Sequence, residues 1–378
     1  MPDRPLTLAY LGDPNSIHTR RWVGFFADRG HSTHLLVPSL DDVEPGLDPR
    51  IELHPFIPYY RRRWHLLGAV QARRSLKRIL AMIGPDLLHA HYLTVHGWHA
   101  RLSGFRPYLV TVWGSDVYVT ARATLRGRLW ARLTLRSAAL VTADSRDLAS
   151  TTLKAGARGD RMHLVQFGVD SSRFAPGPYP EELAHELGLS DRRVILVPRI
   201  IAPVYRTITA VEAFAPLAHD TTLVLSSMAA RPDYLRQVQQ RVANLGVGDR
   251  TLIVPRFEHA RMPDLYRLAD VVLSIPQTDG TPVSLLEAMA TGRPVVASDL
   301  PSVREWLADI APASLVAVGD AAATSAALAA ALALAPADRE RVGRVLRSRA
   351  VERADQATNL LRMERLYRAV VDTNLRWK

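Results

Sequence analysis

Residues 279–299 read DGTPVSLLEAMATGRPVVASD, and they decide the fold. Just upstream, Asp270–Pro276 (DVVLSIP) is an apolar run of strand length that a proline closes. Gln277–Gly280 then forms a loop. Thr281 is a good helix N-cap and Pro282 suits the first helical position. Leu285, Leu286 and Met289 supply one apolar helix face, Gly292 ends it, and Pro294–Ala297 is the next buried strand. Strand, glycine loop, helix and strand in this order make a parallel βαβ unit. Such a unit sets a helix N-terminus at the carboxyl edge of the sheet, where α/β proteins bind ligands. The backbone N–H groups of Thr281, Val283 and Ser284, next to Gly280, can hold an anionic phosphate, with Pro282 giving up one donor. Glu287, a turn into the helix, cannot serve a phosphate but can accept hydrogen bonds from sugar hydroxyls.

The same alternation extends outward to both ends. In the first half, strands are expected at Leu6–Leu11, Thr33–Pro38, Asp86–Ala90, Pro107–Val112, Ala139–Ala143 and Met162–Gln166. Helices are expected at Ile17–Asp28, Arg73–Met82, Leu125–Arg136 and Asp147–Ala155. The second half repeats the pattern, with strands at Val194–Pro198, Thr222–Ser226, Thr251–Val254, Val271–Ile275, Pro294–Ala297 and Leu315–Val318. Near-continuous apolar strands alternating with amphipathic helices predict an α/β protein with two doubly wound, Rossmann-like domains. Phe174–Pro180 holds three prolines and a glycine, a turn-rich linker. The domains are therefore placed at 1–172 and 173–357. Two helical stretches, about 338–351 and 358–371, end the chain.

Composition narrows the function classes. The 378 residues fit about two domains, and a chain 48% hydrophobic and 22% charged is neither fibrous nor largely disordered. With no cysteine there is no disulfide, thiolate metal site or cysteine nucleophile. The apolar run at the start is too short for a signal-peptide core, and the uncharged, Ala-rich stretch Ala321–Pro336 is shorter than a membrane span. A cytoplasmic protein, attached at most to the inner face of the cell membrane, is expected.

Lys and Arg total 48 against 37 Asp and Glu, a net charge of +11. The excess is local. Leu53–Pro85 has seven basic residues and no acid, beside Phe56, Tyr59, Tyr60 and Trp64. Basic residues among interfacial aromatics suit an anionic membrane or a phosphate-bearing acceptor, so residues 56–78 are a candidate membrane contact. Val117–Ala143 is also free of acids, and its arginines and leucines share one helical arc. Either stretch also reads as a plain solvated face. The pI of about 10.3 raises nucleic acid as a partner, but no nucleic-acid motif accompanies it and none is expected.

The 279–299 segment resembles the donor-site signature of GT-B glycosyltransferases of the family 4 type, an acid, seven residues and a second acid ahead of A-M-A-x-G-x-PVV-A-S. The two acids here are Asp279, shorter than the usual Glu, and Glu287. The resemblance implies that Asp279 contacts the donor sugar and Glu287 the nucleotide ribose. It implies that Arg199, ending a strand in Val197-Pro198-Arg199, grips the diphosphate with a following base. Val204 stands at the usual lysine position and Arg206 is the nearest base, so Arg206 is assigned that role. Thr251–Phe257 resembles the nucleobase wall, near Arg256.

The first half is similar to the family's acceptor domain. Gly12, Asp13 and His18 lie in its first loop and helix, and Val110–Asp116 (VTVWGSD) takes the place of an HGxD-like loop, with Trp113 where many members carry His. Gly12, Asp13, His18, Trp113 and Asp116 are the acceptor-side candidates. The family implies retaining transfer from a nucleotide-diphospho-sugar to a glycan or lipid-linked acceptor in cell-surface polysaccharide or glycolipid synthesis, in a closing cleft. It implies no metal and no other cofactor, and a last helix, 358–378, that packs back on the first domain. Two other readings remain: a non-hydrolysing sugar-nucleotide epimerase, which needs no acceptor, and a binding protein with a decayed site, for which the three departures at Val204, Asp279 and Trp113 speak.

His89, His91, His96 and His99 cluster without a carboxylate, which argues against a metal centre there. No Asp-x-Asp pair, nucleophile elbow or Walker loop occurs.

Overall fold

The structure, a computed structural model, describes residues 4–58, 65–227, 230–255, 257–311 and 314–375. The chain divides into two units: Met1–Phe167 with Asn359–Lys378, and Gly168–Thr358. Arg256, and Tyr59 to Trp64 of the basic aromatic stretch, lie outside the described residues.

The first unit holds one all-parallel sheet of seven strands: β1 (Thr7–Leu11), β2 (Ser32–Val37), β3 (Ile51–Pro55), β4 (Leu87–His91), β5 (Tyr108–Thr111), β6 (Leu140–Ala143) and β7 (Met162–Leu164). Their order is β3-β2-β1-β4-β5-β6-β7. The second unit holds six: β8 (Arg193–Val197), β9 (Thr221–Ser227), β10 (Thr251–Pro255), β11 (Val271–Ser274), β12 (Val295–Ser298) and β13 (Leu315–Val316). These run β10-β9-β8-β11-β12-β13, again all parallel. Each sheet grows first one way and then the other, so each has a switch in strand order, β1/β4 in one and β8/β11 in the other. A crevice opens at such a switch, outside the carboxyl ends of the strands.

The strands are buried because helices cover both faces. Leu88, Ala90 and Val110 pack with Leu76, Leu80 and Leu135 from flanking helices. In the second unit Leu196, Val272 and Ala297 pack on one face with Leu285, Leu286 and Met289, and Ile195, Leu273 and Val296 on the other with Phe214 and Val238. Fully burying one such leucine or valine contributes about 1.5–3 kcal/mol.

All twelve strands expected from the sequence form, within a few residues of their expected ends. The thirteenth, β3, was not expected. IELHP has only two apolar side chains, and as an edge strand it needs no continuous apolar run. The helix expected at 73–82 spans His65–Ile83. The helix ahead of β12 is Val283–Ala290, with Pro282 as its cap in extended conformation. The helix therefore starts one residue later than expected, and Thr281 is not its N-cap. The Pro282 carbonyl accepts from the Leu285 and Leu286 N–H groups and takes over the first helical bonds.

The two units join just before Gly168, ahead of the proline-rich stretch. Gly168 has φ +76, and a Cβ there would meet the Ala354 carbonyl oxygen at 2.6 Å, so the position takes only glycine. Val169 N–H donates to Ala354 O, and Gln356 N–H to Val169 O. Phe174 is buried, its ring 5.7 Å from Tyr266, so residues 168–174 belong to the second unit. The last helix, Gln356–Leu375, leaves that unit at its start and joins the first from Asn359. There Tyr367 O–H donates to His89 Nδ1 and accepts from Trp22 Nε1–H. Glu364 pairs with Arg29, His31 and Arg368. Since Leu6 N–H donates to His31 Nδ1, the proton sits on Nε2 and points at Glu364. Among the described residues no single helix is long and apolar enough to cross a membrane.

Candidate functional site

The β8/β11 switch of the second unit gathers ions. Arg199 follows β8, and its guanidinium donates to Asp279 Oδ2 at 2.6 Å and to Ser284 Oγ at 3.2 Å. It also stacks over the Tyr205 ring, 4.2 Å from guanidinium carbon to centroid. Burial alone would weaken its charge. The Asp279 carboxylate outweighs that and holds the guanidinium above its ordinary value. Arg199 and Asp279 keep 14% and 16% side-chain exposure, so both still reach solvent at the sheet edge.

Asp279 sits in the loop after β11, and Ser302 Oγ donates to its carbonyl and fixes the loop. Gly280, Thr281 and Pro282 are buried, and Val283 and Ser284 begin the helix. The N–H groups of this first turn have no helical acceptor and carry the positive end of the dipole. Glu287, 8% exposed, accepts from Tyr266 O–H at 2.8 Å. The same hydroxyl lies 3.2 Å from Ser284 O.

Arg206 ends the turn Pro203–Tyr205 at φ 52 and ψ 42, left-handed backbone that a side chain adopts at a cost of about 1–2 kcal/mol. Its guanidinium lies against the Gly319 turn, where an added Cβ would come within 2.9 Å of it. Its buried Nε makes no hydrogen bond. A strained backbone carrying a guanidinium with spare donor capacity is the profile of a residue held for a ligand. Arg199, Asp279, Ser284 and Glu287 are thus brought into one bonded group around Tyr266 and Tyr205, and Arg206 stands apart, on the Gly319 turn. Tyr266, Tyr205 and Ser302 are the members that the sequence did not disclose. Their contacts are between distant segments and leave no local pattern.

The β1/β4 switch of the first unit gathers rings. His18 lies 5.6 Å from Trp113 and 5.2 Å from Phe167, and Trp113 lies 5.2 Å from Phe167, centroid to centroid. His91, the last residue of β4, lies 6.0 Å from Trp113 and 5.2 Å from Trp22. Trp113 Nε1 and His91 Nε2 are buried without a hydrogen-bond partner. Burial holds the His91 ring far below its ordinary value, hence neutral. Tyr92, next in the chain, has φ 81, a strained position that leads into a π-helix, Leu93–Gly97. Gly12, after β1, leaves room for Thr19, which a Cβ would meet at 3.0 Å. Asp13 turns its carboxylate to the Asn15 N–H.

Asp116 has a different place from the one expected. It is fully buried and accepts from the N–H groups of Leu93, Trp113, Gly114 and Val117. It clamps two loops together and has no exposed oxygen to offer an acceptor. Burial pushes its carboxyl up to about 6, and the four N–H groups oppose the rise. Of the clustered histidines, His89 bonds Tyr367 and Thr111, and His99 bonds the Val95 carbonyl. They pack the core and do not converge as ligands.

Two family models cover most of the chain. "Glycosyl transferase 4-like" matches residues 7–145 and "Glycosyl transferases group 1" matches 181–348. A D-inositol 3-phosphate glycosyltransferase of Xylanimonas cellulosilytica is 32% identical over 46% of this chain and 43% of its own length. A lipopolysaccharide core biosynthesis mannosyltransferase of Rhizobium meliloti is 29% identical over 38% of this chain and 42% of its own. The match thus spans less than half of each of these two relatives. An N-acetyl-alpha-D-glucosaminyl L-malate synthase of Bacillus anthracis is 24% identical over 78% of both chains. Among solved structures, sucrose-phosphate synthase of Thermosynechococcus elongatus has a TM-score of 0.82 at 20% identity, over 97% of this chain and 100% of that one. An Anabaena protein solved with UDP and glucose has 0.78 at 17%, over 96% and 100%.

Proposed function

The chain belongs to the GT-B glycosyltransferases of the family 4 type, and on that premise we propose that it moves a sugar from a nucleotide-diphospho-sugar to a glycan or lipid-linked acceptor, with retention and without a metal ion. The observation that carries the reading is the bonded group Arg199, Asp279, Ser284 and Glu287 at the β8/β11 switch, beside a helix N-terminus.

The chemistry follows from where charge develops. The bond between the sugar and the β-phosphate oxygen breaks, and negative charge gathers on the diphosphate. Arg199, Arg206 and the first helical turn meet it, and one such placed donor is worth about 3 kcal/mol in the transition state. Asp279, fixed by Arg199 and Ser302, orients the donor sugar. Glu287, fixed by Tyr266, accepts from the ribose hydroxyls. The acceptor oxygen attacks from the face the phosphate leaves, and its proton passes to the departing phosphate oxygen. No protein base is then required. His18 and Trp113 of the first unit receive the acceptor, because aromatic rings stack on the C–H faces of a sugar.

A cytoplasmic site of action at an anionic membrane fits the exposed Ile57, Leu67 and Val70 beside exposed Arg73, Arg74, Lys77 and Arg78. Leu125 and Leu129 are also exposed, among the exposed Arg126, Arg128 and Arg132. The product is then a cell-surface polysaccharide or glycolipid.

A thermal-shift panel of UDP-, GDP-, ADP- and TDP-sugars, with and without Mg²⁺, tests the donor half. Ligand at 100 times its Kd adds about 2.7 kcal/mol of stability. The expected result is a shift with one base, independent of Mg²⁺. No shift with any donor points to a decayed site, and sugar epimerised without acceptor points to an epimerase. For the assignment itself, Glu287→Ala should lose turnover at subsaturating donor, and full turnover would contradict it.

A further inference from the structure

On the first sheet, β2 and the edge strand β3 bring three ligand atoms together. His34 pairs in register with Glu52, and Leu36 with His54, so His34, Glu52 and His54 leave the same face of the sheet. His34 Nδ1 lies 3.0 Å from His54 Nε2 and 3.4 Å from Glu52 Oε2. His54 Nε2 lies 3.8 Å from the same oxygen. In a tetrahedral site with metal–ligand bonds of about 2.0–2.1 Å, neighbouring donors stand about 3.3 Å apart. The three separations straddle that value.

Two further features fit a cation better than a hydrogen-bonded trio. With the His34 proton on Nε2, the one proton left to the cluster, on His54 Nε2, serves either His34 Nδ1 or Glu52 Oε2, whereas a divalent cation serves all three atoms. And Ser32 Oγ lies 2.9 Å from the other ring nitrogen, His34 Nε2. That is the outer partner a metal-bound histidine takes for its remaining N–H, and it leaves Nδ1 free to ligate. His34 is buried and fixed by the sheet, while Glu52 is largely exposed, which gives the ion a way in.

We propose that His34, Glu52 and His54 bind one Zn²⁺, with water as the fourth ligand. Two nitrogens and one carboxylate oxygen are a zinc ligand set. All residues assigned to the donor lie in the other unit, so nucleoside diphosphate binding does not depend on this ion. It pins the edge strand β3 to β2, where edge strands otherwise depend on their one neighbour.

The test uses the full chain without a histidine tag, stripped by chelator and titrated with Zn²⁺ against a chromophoric indicator. The expected result is one equivalent per chain, a raised Tm, and the visible absorption of four-coordinate Co²⁺ when cobalt replaces zinc. Glu52→Ala and His54→Gln should each weaken binding at least about tenfold, and Ser32→Ala about 10–100-fold. Nucleoside diphosphate binding should stay unchanged in all three. If His54→Gln does not fold, Glu52→Ala, altered at an exposed side chain, carries the test. Less than a stoichiometric amount of zinc, or an affinity that Glu52→Ala leaves intact, would overturn the proposal.

Discussion

At the β8/β11 switch the second sheet carries Arg199, Arg206, Asp279 and Glu287. At the β1/β4 switch the first carries His18, His91, Trp113 and Phe167, with Asp116 turned inward and Asp13 capped by the Asn15 N–H. The strand topology is the same and the chemistry is opposite. A parallel sheet supplies the crevice at the switch, and the loops that follow its strands decide what enters. Charged groups, held half-buried by ion pairs and tyrosines, suit a diphosphate. Aromatic rings suit an acceptor sugar.

The difference should appear first in acid. Burial holds His89 and His96 at about 3 and His99 at about 4, and His91 well below its ordinary value. All four lie in the first unit. A histidine with a lowered folded value takes up a proton on unfolding, so its stability is full above about 6.5 and lost as pH falls. At pH 5 His89, His96 and His99 each lose roughly 1–2 kcal/mol, and His91 changes in the same direction. Asp116, raised to about 6, works the other way below that pH and offsets one of the four. Hydrogen exchange between pH 7 and 4.5 should show the first unit opening well before the second. Simultaneous loss of both would break the comparison.

Arg199→Ala should come next in size. It removes the guanidinium from the leaving group and frees Asp279, and kcat/KM should fall about 10²–10³-fold. Steady-state kinetics with saturating acceptor measure it, and a loss below tenfold would remove Arg199 from the donor site.

Asp116→Asn keeps the shape but replaces one accepting oxygen with an N–H₂ group. At least one of its four backbone donors is orphaned, at about 1–3 kcal/mol of stability. Urea denaturation should report that loss with donor affinity unchanged, which sharpens the distinction between clamp and acceptor contact.

Tyr266→Phe is the smallest effect. It deletes the 2.8 Å bond that holds Glu287 and should cost about 1 kcal/mol of donor affinity. An unchanged KM for the donor would show that Glu287 needs no such support.

The fold was largely legible because parallel strands, buried on both faces, read as apolar runs between glycine and proline signals. β3 was not, since an edge strand with Glu52 and His54 has no such run. Asp279, Glu287 and Arg199 were legible because they keep fixed places after a strand or in a helix. The role of Asp116 was not: four N–H groups converge on it from two loops that only the folded sheet brings together. Tyr266 was hidden for the same reason, being far in sequence from the glutamate it holds.

The most direct measurement is calorimetric binding of UDP and GDP to the wild type, Arg199→Ala and Trp113→Ala. One nucleotide should bind the wild type, Arg199→Ala should weaken it by about 10–100-fold, the worth of a charge-assisted bond, and Trp113→Ala should leave it unchanged. Nucleotide affinity that survives Arg199→Ala, or that falls with Trp113→Ala, would contradict the division of the two edges into donor and acceptor.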